Sequence, residues 1–238
     1  MEGSARELLA AGTEAMYEAA FRTGDYSNAE TMLEATQSRA AAEGDRATEA
    51  GALDRLAWLM HFRALDRNRE GADPDAEEAL FRRALAIQQE LGDQAGIAAA
   101  LFGLGLVHQV LRRDPTAAFA FFQEAVELAD QHADALLRSE CHRHVGFHYL
   151  VGDRQPEQAV WHLRRSLELR EEWGDPRWVP SGMLALGWAE LAAGRRVEGT
   201  ELIRHAARAA RDAGLSEQRI RDAEDWLHRA ESGETPFA

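Results

Sequence analysis

The stretch from Asp134 to Asp175, DALLRSECHRHVGFHYLVGDRQPEQAVWHLRRSLELREEWGD, holds one Pro and one internal Gly at positions that return elsewhere in the chain. Pro74, Pro115 and Pro156 lie 41 residues apart, as do Gly105, Gly146 and Gly187, and Asp93, Asp134 and Asp175. Three separate markers with one period predict a stacked array, in which each unit of two helices buries its core against its neighbours. The 238-residue length is then read as one continuous array rather than as two unrelated domains.

Taken in order, the chain reads as helical hairpins. A stripe at Leu8, Leu9, Met16, Ala19 and Ala20 gives a first helix, broken at Gly24-Asp25. A second helix runs from about Ser27, with Ala29, Leu33 and Thr36 on one side, and closes at Gly44-Asp45. The next hairpin has helices over 47–67 and 74–91, joined by RNREGADPD. Tyr17 to Trp58 is 41 residues, but Trp58 to Leu106 is 48, so seven residues are added there, and their polarity predicts a protruding loop. The array is thus expected over residues 1–232, with hairpins over 4–44, 45–92, 93–133, 134–174 and 175–214 and a capping helix over 215–232 that begins at Ser216. Residues 233–238 read as a flexible tail.

Composition narrows the function classes. All 27 basic residues are Arg, which excludes lysine Schiff bases and lysine-based phosphate binding. A net charge of −14 repels a phosphate backbone, so nucleic acid is not an expected partner. The single cysteine, Cys141, allows no intrachain disulfide and fits a reducing compartment. Neither a signal-peptide pattern nor an apolar run of about 18 residues is read, and the expectation is a cytoplasmic protein without a membrane partner.

With the hairpins aligned, the chain resembles the tetratricopeptide repeat family in a longer form, with a period near 41 residues. The match is carried by the small residue of each first helix (Ala57, Gly105, Gly146 and Gly187, with Met16 departing). It is carried also by a triplet in each second helix: Ala29, Leu33, Thr36; Glu77, Phe81, Ala84; Ala118, Phe122, Ala125; Ala159, Leu163, Ser166; and Gly199, Ile203, Ala206. The resemblance implies an all-α, right-handed superhelical solenoid whose first helices line a concave groove that holds a peptide or partner segment. Carried over residue by residue, it places Tyr17, Trp58, Leu106, Phe147 and Trp188 in that groove. Thr13, Asp54, Phe102, Arg143 and Leu184 follow one turn earlier, with Ala20, His61, Gln109, Leu150 and Leu191 one turn later. Partner-binding residues are therefore expected among Tyr17, Trp58, His61, Phe102, Arg143, Phe147, Leu184 and Trp188. Packing of the same aromatics against neighbouring helices is the competing reading. Family members that grip a C-terminal carboxylate do so with Asn and Lys, which these groove positions lack.

Catalytic constellations are scarce. Cys141, His144 and His148 share one helical face and form the only metal-ligand candidate, but one helix rarely directs three ligands at one tetrahedral centre. Buried packing of these side chains is the plainer reading, and no metal or other cofactor is expected. No phosphate loop, zinc-protease signature or nucleophile elbow occurs. The sequence thus points to a scaffold that binds a protein or peptide through an aromatic groove. The rivals are a regulatory domain that senses a small ligand or peptide and acts through a partner chain, and an enzyme built on the array.

Overall fold

A computed structural model describes residues 3–234, and among them every regular element is helical, with no strand. The chain divides into two compact units, Met1–His132 and Ala133–Ala238. The first contains α1 (Ala5–Glu18), α2 (Ser27–Glu43), α3 (Arg46–Asp66), α4 (Pro74–Leu91), α5 (Gln94–Leu106) and α6 (Pro115–His132). The second contains α7 (Ala135–Phe147), α8 (Pro156–Trp173), α9 (Val179–Ala192), α10 (Arg196–Asp212) and α11 (Glu217–Glu231). Within each unit every helix packs on the next in sequence, and in the first unit α3 also touches α1 and α5.

Short-range chemistry sets the helix ends. Gly44 and Gly92 close α2 and α4 in the left-handed conformation, and the next residues, Asp45 and Asp93, cap α3 and α5 by accepting from Thr48 N and Gly96 N. Asp134 does the same for α7 through Leu137 N. Asp175, the third member of that series, instead accepts from the backbone N and guanidinium of Arg177, and α9 starts only at Val179. Pro74 and Pro156 sit in the first turns of α4 and α8, where a missing N–H costs nothing.

The recurring small residues mark close helix crossings. A Cβ on Gly105 would lie 2.4 Å from the Phe122 ring, one on Gly146 2.7 Å from Leu163 Cγ, and one on Gly187 2.6 Å from Ile203 Cγ1. In the first hairpin the same role falls to Gly12, whose added Cβ would meet Leu33 at 2.9 Å. This accounts for the departure at Met16: the close approach has moved one helical turn back, and Met16 fills core space instead. The facing residues Leu33, Phe81, Phe122, Leu163 and Ile203 are all fully buried.

Three first helices end in a π turn, at Ala19–Thr23, Val107–Leu111 and His148–Gly152. From Gly105 to Pro115 and from Gly146 to Pro156 is ten residues, whereas Gly187 to Arg196, the first residue of α10, is nine and the turn is regular. The wider coil absorbs the additional residue. Arg113 and Arg154 then take left-handed φ values of 55° and 53°, a conformation that Gly194 supplies in the α9–α10 turn.

The seven added residues are shared between helix and loop. α3 runs nine residues past Ala57, against six from Gly105 to the end of its π turn, so three residues lengthen the helix and four enlarge the connection. Residues 67–71 of that connection are exposed. Deleting Asn68–Gly71 while keeping Asp73, which caps α4 through Ala76 N, should change the unfolding free energy by less than about 1 kcal/mol, because loop-closure entropy varies slowly with length. A collapse of the thermal transition on this deletion would show the loop to be packed.

One expectation needs correction. The stretch Gln94–Leu111 is long and apolar enough to cross a membrane by length and composition, with a mean hydropathy of 1.5. Here it is a core element, since Ala98 and residues 100–107 are buried against neighbouring helices. Of the expected tail, residues 235–238 lie outside the described residues; Gly233 is held by Arg196, which donates to its carbonyl.

Candidate functional site

In the second unit, α7 and α9 present Arg143, Phe147, Leu184 and Trp188 as partly exposed side chains. Their spacing of four residues puts each pair on one helical face. The Phe147 and Trp188 rings lie 5.9 Å apart, and Trp188 meets Trp226 of α11 at 4.7 Å. Arg229 lies over the Trp226 ring with its guanidinium carbon 4.0 Å from the centroid. A stripe of three large aromatics thus runs across α7, α9 and α11, backed by Leu186, Leu191 and Ile203. The repeat does not point to Trp226, because α11 packs on α10 but lies beyond the five hairpins and so offers no repeat position to align.

Arg143 sits at the edge of this stripe. Its guanidinium carbon is 4.7 Å from the Phe147 ring centroid, and its Nη1 is 3.3 Å from Nε2 of His144. Its Nε is enclosed and has no hydrogen-bond partner. Burial, followed by the like charge of Arg170, lowers its pKa to about 10.

The first unit treats the same positions differently. Tyr17 keeps partial exposure, but Trp58, His61, Phe102 and Leu106 are buried, which corrects the expectation that they line an open groove. Trp58 stacks on Phe102 at 5.8 Å and 27°, and Phe102 packs on Phe122 at 5.5 Å, so the three rings fill the space between α3, α5 and α6. His61 is tied at 2.8 Å to Oε1 of the buried Glu77, the residue that departs from the small-residue pattern in α4. A cavity of about 160 Å³ beside the added loop is lined by Arg63, Arg67, Glu70 and Glu77 among others. Glu77 is engaged by His61 and Arg63 by a two-pronged contact with Glu30, so both side chains already have partners.

Asp54, one turn before Trp58, is buried, and its Oδ1 makes no hydrogen bond. Burial raises its pKa, opposed only in part by Arg55. A group whose folded pKa lies above its unfolded value contributes fully below the unfolded pKa, and that contribution is lost as pH rises through the folded one. Asp54→Leu, the residue type of the equivalent Leu184, should therefore stabilise the protein by about 1 to 3 kcal/mol at neutral pH, with a gain that shrinks in acid. Unfolding midpoints measured across the acid range check this, and a gain independent of pH would contradict it.

Cys141 and His144 are buried and His148 is half-buried, and among the described residues no group of three or more His, Cys, Asp or Glu side chains is placed to hold a metal ion. His148 Nε2 lies 3.4 Å from Asp153 instead. His142 and His162 face each other with Nδ1 atoms 3.0 Å apart.

No protein-family model matches the chain, and no curated protein matches it. Among solved structures it is similar to BtubC (BKLC) from P. vanneervenii, at 17% identity and a TM-score of 0.50, over 94% of this chain and 93% of that one. At that identity the likeness speaks for the helical fold alone.

Proposed function

We propose that the protein is a non-enzymatic interaction module, a right-handed solenoid of tetratricopeptide-like hairpins that binds a partner protein or peptide through the aromatic face of its second unit. The observation that carries the reading is the Phe147–Trp188–Trp226 stripe, which stays partly exposed although each ring has a neighbour to pack on. Large rigid aromatics beside an arginine are the residue types that anchor protein interfaces. The 41-residue recurrence of Gly and Pro, and the close crossings at Gly105, Gly146 and Gly187, support the solenoid part of the reading. A cytoplasmic location belongs to the same proposal, supported by the single cysteine, Cys141, which allows no intrachain disulfide.

Affinity capture of the tagged chain from its source cell should recover a protein in stoichiometric amount. Recovery of none would sink the scaffold reading. Native mass spectrometry that found a small ligand in its place would move the surface to a sensing role.

A further inference from the structure

We propose that the cavity between the end of α3 and the start of α4 binds a small zwitterion, a molecule of amino-acid size with one carboxylate and one ammonium group. The site lies in the first unit and is independent of the partner-binding face of the second. Three departures from the repeat meet there. The connection is enlarged by four residues, and the backbone at Asn68 and Arg69 takes left-handed φ values of 50° and 70°. The buried Glu77 stands where the other second helices carry Ala29, Ala118, Ala159 and Gly199. Departures from local rules concentrate where a chain has something to hold.

Size and charge limit the occupant. The cavity measures about 160 Å³, and a space of about 150 Å³ takes a ring of six carbons. Met60 and Ala64 give it an apolar wall, while Arg67, Glu70, Asp73 and Glu77 bring charges of both signs. Arg67 and Glu70 are three residues apart and opposite in charge, yet they line the cavity without pairing with each other. Among the described residues neither side chain has a hydrogen-bond or ion-pair partner. The planar fork of a guanidinium matches a carboxylate, and the Glu70 and Asp73 carboxylates match the donors of an ammonium group. A metal ion does not fit, because among the described residues no three His, Cys, Asp or Glu side chains are placed to hold one. A purely anionic ligand would meet the carboxylates, and a purely cationic one would leave Arg67 unmatched.

Calorimetric titration of the full chain with L-alanine, β-alanine and γ-aminobutyrate, whose two charges lie progressively further apart, tests the site. At least one should bind with a Kd in the millimolar range or tighter. Its analogues lacking the ammonium or the carboxylate should bind at least about 10-fold more weakly, the factor that one hydrogen bond to a charged group supplies. In Arg67→Gln the zwitterion should bind no better than the amine analogue, and deletion of Asn68–Gly71 should abolish binding in a chain that keeps its thermal transition. Both changes fall on exposed residues, and the comparison of ligands on the native chain stands even if a variant does not fold. Binding by none of the three zwitterions would overturn the site. So would equal binding of the singly charged analogues, or binding that is unchanged in Arg67→Gln. Each of these failures leaves the aromatic face of the second unit untouched.

Discussion

Phe122→Ala should lower the unfolding free energy by about 3 to 5 kcal/mol, the range for removing a buried aromatic whose site cannot collapse. Phe122 is 1% exposed, lies under Gly105 in the close crossing of α5 and α6, and supports the buried Phe102 ring. Neither neighbour can fill the space: Gly105 has no side chain, and Phe102 is held between Phe122 and Trp58. Gly105 is also the reverse test, because any larger residue there would drive into the Phe122 ring and should cost about 1 to 3 kcal/mol. Chemical denaturation of both variants checks the pair. A loss below about 1 kcal/mol for Phe122→Ala would mean that the ring is not held as described.

A comparable loss is expected for Glu140→Leu. Arg170 is 1% exposed and donates to Glu140 Oε1, to the carbonyl of Trp178 at 2.7 Å and to Ser181 Oγ, joining α7 and α8 to the start of α9. Removing the carboxylate leaves a buried cation without its counter-charge, which costs about 3 to 5 kcal/mol. Replacing both partners, as Glu140→Leu with Arg170→Met, should restore most of that loss, since an apolar pair of similar volume pays no desolvation. Additive losses in the double variant would contradict the pairing.

The elements that sequence placed well are those with local causes. Gly44-Asp45 and Gly92-Asp93 end one helix and begin the next through their own backbone and side-chain chemistry, and the glycines of the crossings recur because the crossings do. The stripe was less legible. Trp58 and Trp188 occupy equivalent places in the repeat, yet Trp58 is buried with the Phe102 ring of the next hairpin stacked on it, whereas the residue that stands to Phe147 as Phe102 stands to Trp58 is the smaller Leu184, and Phe147, Leu184 and Trp188 all stay partly open. One neighbouring side chain decides between core and surface, and periodicity does not carry that information. The Glu140–Arg170 pair was invisible for a related reason: 41 residues earlier both positions are alanine, Ala99 and Ala129, so the pair is a departure from the pattern.

Whether the second unit's aromatic face binds a partner is read most directly from the affinity of the captured partner for Trp188→Ala relative to the native chain. A loss of about 2 kcal/mol or more, roughly 30-fold in Kd, is expected in a variant that still unfolds in one cooperative transition. An unchanged affinity in the folded variant would contradict it, and the binding surface would then lie elsewhere on the chain.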